Sequence, residues 1–419
     1  MTVRRQTSKL GGALASVAVC AVAALWGTQA AAQSQQPGGG RLGALSGTGS
    51  RLFDLELSGR AAYDSNVARG EDIVADIRHL HKDDYIYTPS VILDINLPVG
   101  RQAVFLVGTV GYDFYQYNKT LESSHVNLEA GAAGRVGPCS GTLTGDYSVR
   151  QSDLAVLPLV VTKNLETQDA IGAQVTCATR SGLGVFVSGQ HSQIHNSANT
   201  GVVDSHTDSV SGGLSYSTRL LGTAQLFVAH SRIGYDSSAV LGILAPNSTD
   251  TSSVGVRLSR PIGKRLDGSA DISYLNTHID GPGTSNFSGF AGRGSLNYRV
   301  NPRLGLTLIY VRSVSPTIQS GFDYSIVSGF ELDGRYRLSP RLSASAGATW
   351  NQTSYRGQRL FLPNLVTHDE DRGIFGALTL SVGKKASLSI DARQDVRNTN
   401  RPEFNYTAYR AGITAIKKF

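Results

Sequence analysis

The groups in this chain that could do chemistry are nine histidines, three cysteines and 32 carboxylates. His79 and His81 stand two apart in a polar stretch. His191 and His195 stand four apart in an extended one, where residues two same-face steps apart lie about 13 Å from each other, too far to share a metal ion. Glu71, Asp72, Asp76, Asp83 and Asp84 crowd one segment but miss the spacing of a calcium loop, and they read as a solvated loop. No Gly-x-Ser-x-Gly elbow, phosphate-binding loop or paired zinc cysteines occurs. The reading is therefore of a chain with no catalytic site, no metal and no cofactor.

A larger set of charges recurs at period two among small and apolar residues. Glu56, Arg60, Asp94, Glu129, Arg135, Asp146, Arg150, Arg257, Asp271 and Arg293 fall on one parity of their segments. So do Arg299, Glu331, Asp333, Arg335, Arg337, Asp391 and Arg393. The other parity carries Leu143, Tyr147, Val149, Leu214, Tyr216, Val254, Val256, Leu258, Leu378, Leu380 and Val382. Alternation of this kind means strands with one apolar and one polar face. The segment 102–117 is apolar on both parities and takes no assignment.

Punctuation fixes how these strands connect. Short Gly, Pro or basic turns recur at Pro98-Val99-Gly100-Arg101, Gly137-Pro138, Arg180-Ser181-Gly182 and Arg219-Leu220-Leu221-Gly222. They continue at Pro261-Ile262-Gly263-Lys264-Arg265, Asn301-Pro302-Arg303, Ser339-Pro340-Arg341 and Gly383-Lys384-Lys385. Each interval holds two long strand-like stretches joined by a looser polar segment. Eight such turns and the flanking strands give about 18 strands, with both ends of the chain on the short-turn side. Propeller blades repeat at similar intervals, but they use four shorter strands per repeat. Strands of ten or more residues suit tilted membrane crossing instead. The expected fold is all-β, a transmembrane antiparallel up-and-down β-barrel with both termini periplasmic. Its interior would be aqueous at this strand number, and the charges on the polar parity would line that lumen. Tyr85, Tyr87, Tyr274, Tyr310 and Trp350 would suit aromatic girdles.

The ends of the chain add a location. Arg4, Arg5 and Lys9 precede an apolar core, Gly11 to Trp26, and Ala30-Ala31-Ala32 supplies a cleavage site. Residues 1–32 read as a signal peptide cleaved near Ala32, residues 33–50 as a flexible Gly/Gln-rich lead, and 51–419 as the barrel. Removing three basic residues takes the formal charge from +7 to 36 − 32 = +4, too mild to argue for nucleic acid. Cys20 leaves with the leader, which keeps Cys139 and Cys177 in an oxidising compartment. Both are equidistant from a hairpin centre near Pro158, so antiparallel pairing places them opposite each other and predicts a disulfide at the periplasmic rim. Tyr409, Ala411, Ile413, Ala415, Lys417 and Phe419 share one parity. This terminal strand resembles the targeting end of bacterial outer-membrane proteins, with Phe419 as the assembly signal.

Tyr63-Asp64-Ser65-Asn66-Val67, Asp84-Tyr85-Ile86-Tyr87-Thr88-Pro89, Leu97-Pro98-Val99-Gly100-Arg101 and Tyr112-Asp113-Phe114-Tyr115 follow in an order that resembles the putative beta-barrel porin-2 family. The resemblance is clearest from Arg51 to about Arg180. It implies the outer membrane of a Gram-negative bacterium, with lipid, lipopolysaccharide and the assembly machinery as partners. Similar barrels are associated with exopolysaccharide production, which adds polysaccharide-export components to the implied partners and a role in export or solute passage to the implied functions. The alternative is a structural or accessory barrel with a filled lumen. No outer loop exceeds about 20 residues, which argues against a long inserted constriction loop.

Overall fold

The computed structural model describes residues 52–155, 162–197, 202–218, 222–236, 239–240, 243–244, 248–263, 265–281, 283–316, 322–358 and 366–419. The expected leader and lead, and the hairpin tip near Pro158, lie outside them. Nine long strands run first: β1 (Phe53–Asp64), β2 (Asp84–Val99), β3 (Gln102–Tyr115), β4 (Ser123–Val136), β5 (Cys139–Gln151), β6 (Leu165–Ala178), β7 (Leu183–Asn196), β8 (Ser205–Thr218) and β9 (Gly222–Tyr235). A two-residue ribbon, β10 (Ala239–Val240) with β11 (Ile243–Leu244), follows. Nine more long strands complete the set: β12 (Ser248–Ile262), β13 (Leu266–Asp280), β14 (Phe287–Arg299), β15 (Leu304–Pro316), β16 (Phe322–Arg337), β17 (Leu342–Gln358), β18 (His368–Val382), β19 (Ala386–Thr399) and β20 (Tyr406–Lys418).

Each long strand pairs antiparallel with its neighbours in sequence, and β1 pairs with β20 from Glu56↔Lys418 to Asp64↔Arg410. The 18-stranded sheet is thus closed, which satisfies every edge without a partner chain. Among the described residues no helix is long and apolar enough to cross a membrane, so crossing falls to the strands. Their outward parity is the apolar one. Leu143, Leu214, Val256, Leu378 and Val382 all face out with more than 40% exposure, a pattern that only lipid makes favourable.

The short turns owe their shape to two devices. Gly100, Gly137, Gly182, Gly222, Gly263 and Gly383 hold positive φ between 60° and 89°, which residues with a Cβ rarely adopt. The two turns without such a glycine use a side chain instead. Asn301 Oδ1 accepts from the N–H groups of Arg303 and Leu304, and Ser339 Oγ accepts from those of Arg341 and Leu342. At the other end the connections are longer, and nineteen residues separate Asp64 from Asp84.

The segment unassigned from sequence resolves as β3, with Val104, Val110, Tyr112 and Phe114 exposed outside and Ala103 and Phe105 buried inside. Phe105 faces in because it lies over Gly131 of β4, where an added Cβ would meet its ring at 2.7 Å. Phe375 covers Gly347 in the same way. Glycine on one strand and phenylalanine on a neighbour together make a flat, covered patch of wall. Not every seam is equally long. The β14–β15 ladder has eight pairs and stops at Gly292↔Arg312, although both strands continue. Most neighbouring seams carry eleven or more.

Cys139 and Cys177 sit opposite each other in register and are joined, with an S–S distance of 2.04 Å. They lie at the short-turn end, where both ends of the described barrel also emerge. Phe419 follows β20 and is 54% exposed, and its N–H donates to the Leu55 carbonyl at 2.9 Å. One such contact adds little to stability, so deleting Phe419 should leave the folded barrel's urea midpoint nearly unchanged. The yield of inserted barrel should nevertheless fall severalfold, as seen in outer-membrane fractions; normal yield would remove the residue's assembly role.

Candidate functional site

β19 carries the most distinctive pattern of the inner wall. Its inward positions read Asp391, Arg393, Asp395, Arg397, an alternation of charge over about 20 Å of strand. Neighbouring strands complete it. Arg60 of β1 grips Asp391 with two parallel bonds of 2.8 Å across the intervening β20. Arg393 donates through Nε to both oxygens of Asp395 at 2.7 and 2.9 Å, and Arg410 of β20 reaches the same carboxylate. Arg397 Nε donates to both oxygens of Asp369 on β18 at 2.9 Å. Bidentate arginine–carboxylate pairs fix orientation as well as charge, so the ladder is a rigid set of dipoles.

Burial changes along it. The side chains of Arg60, Asp391, Arg393, Asp395 and Arg410 keep 18–33% exposure, while Arg397 and Asp369 keep 5%. The cause is a pad of loops over the long-loop end. In the β1–β2 connection, α1 (Asp72–Arg78) buries Val74, Ala75 and Arg78. Val67, Ala68, Ala75 and Leu80 pack with Leu121 of the β3–β4 connection and Leu154 of the β5–β6 connection, against Tyr115 of the wall. Asp84, fully buried, accepts the N–H groups of Gln116, Tyr117 and Asn118 and ties the β1–β2 and β3–β4 connections together.

Two arginines pin the pad. Arg78 donates to the carbonyls of Ala68 and Leu154 at 2.7 Å each, and burial pushes its pKa down to about 10. Arg397 Nη1 donates to the Ala155 carbonyl at 2.7 Å. The adjacent carbonyls 154 and 155 are therefore held from two sides, by a helix and by the wall. Arg69 in the same connection pairs with Asp64 at 2.6 Å. Burial opposes its charge, yet the Asp64 carboxylate keeps the guanidinium well above its ordinary pKa.

The acidic segment is a solvated loop only in part: Glu71, Asp72 and Asp76 are exposed, while Asp84 is a buried cap and α1 packs Val74, Ala75 and Arg78 inward. Among the described strands the longest outer connection is the nineteen residues of β1–β2, and segments of this ordinary length pack together over the long-loop end.

The remaining lumen-line residues fall in place by register. Glu56 pairs with Lys418, Arg150 bonds Glu166 through Nε at 3.0 Å, and Arg257 bonds Asp271 at 2.8 Å beside Arg293. Asp333 pairs with Arg335, and Glu331, Arg299 and Arg337 share the inward parity of β14 and β16. Arg135 lies inward near the short-turn end of β4. Asp94 stands opposite Asp54, and Glu129 opposite Asp146, in one row across β1–β5. No ion pair to these four carboxylates exists among the described residues. Asp54, Asp369, Asp395, Arg397 and Arg410 were missed in the sequence, although Asp395 and Arg397 continue the parity of Asp391 and Arg393. His191 and His195 face outward and pair with Asp208 and Asp204. Among the described residues no group of three or more His, Cys, Asp or Glu is placed to hold a metal.

Residues 247–419 match the family model described as putative beta-barrel porin 2. The match falls on the C-terminal strands, not on the Arg51–Arg180 stretch where the sequence resemblance is clearest. No curated protein sequence matches the chain. Among solved structures, it is similar to OccK5 (OpdH) of Pseudomonas aeruginosa, at 13% identity over 88% of this chain and 98% of that one, TM-score 0.45. It is also similar to a BenF-like porin from Pseudomonas fluorescens Pf-5, at 10% identity over 88% and 99%, TM-score 0.49. A third is Acinetobacter baumannii OccAB3, at 10% identity over 88% and 99%, TM-score 0.47. With a closed 18-stranded barrel, an apolar outer belt and a C-terminal part that matches the putative beta-barrel porin 2 family, the protein is a porin-like β-barrel of the bacterial outer membrane.

Proposed function

We propose that the barrel is a passive channel for small polar solutes, entered past the loop pad and lined by the β19 ladder. The observation that carries this is the partial exposure of the ladder charges below the pad. A filled lumen would bury such groups as completely as Arg397 and Asp369 are buried at the mouth, whereas paired charges that still meet solvent line a wet passage. The row Asp54, Asp94, Glu129 and Asp146 lies across the ring from β14 and β16, which carry Arg293, Arg299 and Arg337. Glu331 and Asp333 share the inward parity of β16 with these arginines, so the acidic row faces a mixed, net basic wall, which orients dipolar solutes more than it rejects one sign of charge. With short turns inside and long loops outside, as outer-membrane barrels are built, both barrel ends face the periplasm.

In this reading the lumen does no covalent chemistry, and its partners are membrane lipid and the machinery that assembles it. Polysaccharide export draws no support from the comparisons and is not part of the proposal. Refolded protein added to a planar bilayer in potassium chloride should give discrete conductance steps, with a reversal potential close to zero in a salt gradient. Silence at high protein load, with folding confirmed by a heat-dependent gel shift, would instead favour the structural barrel with a filled lumen.

A further inference from the structure

We propose that the outward rim of β15–β18 binds the phosphorylated headgroup of an outer-leaflet glycolipid. The outward parity of these strands carries an aromatic row at one level: Tyr310, Phe330 and Trp350 pair in register, with ring centroids 4.8 and 6.0 Å apart. Such a row marks the boundary between hydrocarbon and headgroups. Arg372 stands level with Trp350 on the next strand, and Arg312 one outward position above Tyr310. These two arginines are three strands apart, about 14 Å, and Arg356 is exposed farther toward the loops.

The charge is not cancelled on the protein. Among the described residues Glu370 is the one outward carboxylate on this rim, and it is shared: it accepts from Trp350 Nε1 at 2.6 Å and from Arg372 at 2.8 and 3.0 Å. Arg372 is still 61% exposed. Arg312 is held in place because the β14–β15 ladder ends beside it, and its Nε donates to the freed Phe290 carbonyl at 3.2 Å while Nη1 reaches Ser328 Oγ at 3.2 Å. The rim of β7–β13 is built differently. There His191, Asp208, Arg232, Asp250 and His278 form one in-register row in which the acids balance the arginine. Cations over an aromatic row at a lipid face are costly without an anionic partner, and phosphate is the anion a membrane surface offers. The long-loop end faces outward in outer-membrane barrels, which makes the occupant a glycolipid of the outer leaflet.

The test uses the folded chain in neutral detergent, in which cleavage near Ala32, or Trp26→Phe where the leader is retained, leaves Trp350 as the only indole. A bisphosphorylated lipid A should bind, counted by native mass measurement, and should shift Trp350 emission. Its dephosphorylated form should bind at least tenfold more weakly, and inorganic phosphate should not compete at equal concentration. Arg312→Gln with Arg372→Gln should weaken lipid A binding about tenfold, while Arg232→Gln should not. If the double variant fails to fold by gel shift, the exposed Arg372→Gln alone should still weaken binding severalfold. Equal binding of both lipid forms, or unchanged binding by folded variants, overturns the proposal. Loss of an oligomer with unchanged lipid uptake would do the same and assign the rim to a second copy of the chain.

Discussion

Arg397→Ala is expected to cost about 3–5 kcal/mol, the range for removing one partner of a buried ion pair, and to enlarge the single-channel conductance. Arg397 and Asp369 are each 5% exposed, and the guanidinium meets both oxygens of Asp369. Taking it away leaves that carboxylate buried and unneutralised, with Asp371 close by. It also releases the Ala155 carbonyl, the point at which the β5–β6 connection is fastened to the β19 wall. The two consequences separate experimentally. Arg397→Leu with Asp369→Leu removes both charges and should recover most of the stability, yet it leaves the connection free of the β19 wall. Urea midpoints should therefore return toward the parent in the double variant while the conductance stays high. A folded Arg397→Ala barrel with parental conductance would show that this connection does not limit the passage.

Opening the Cys139–Cys177 bridge should be the second large loss. The bridge joins residues 38 apart in sequence, and closing a loop of that size in the unfolded chain is worth roughly 4 kcal/mol in the chain-entropy model. The folded barrel already holds β5 and β6 together through thirteen register pairs, so its geometry should survive reduction. The effect belongs mainly to the unfolded state. The urea midpoint should drop on adding reductant and in Cys139→Ser with Cys177→Ser, while conductance stays unchanged. Equal midpoints with and without reductant in the parent would mean that the bridge does not constrain the unfolded chain.

Most of the barrel was legible because its rules are local. Period-two alternation assigns faces, turn glycines and prolines mark the short ends, and a hairpin's symmetry places Cys139 opposite Cys177 without any knowledge of the rest. β3 was not legible, because Ala103 and Phe105 turn inward, Phe105 onto a neighbour's glycine, and remove the polar face that alternation needs. The pad was not legible for a different reason. Arg78 meets Leu154, 76 residues away, and Arg397 meets Ala155, 242 away. The acidic run around Asp72 reads the same whether its helix floats or packs. The ladder was half legible: Asp391 and Arg393 stand out as charges on the polar parity, and the same parity two residues on from Arg393 and again two further adds Asp395 and Arg397. Their partners on β1, β18 and β20 come only from register across strands distant in sequence.

The short seam between β14 and β15 has a mechanical meaning. In a closed ring every strand is braced on both sides, so compliance concentrates where bracing is least. Eight pairs hold this meridian, and above Gly292↔Arg312 the two strands are joined by side chains, the Arg312 cap on Phe290 and the cluster of Phe287, Ala291 and Val314. Side-chain contacts tolerate small sliding better than a hydrogen-bond ladder does. Changes in membrane thickness or lateral pressure would then deform the ring at its outer end along one line, much as a hoop flexes at its joint, and leave the ladder of β19, four strands around the ring from β15, in register.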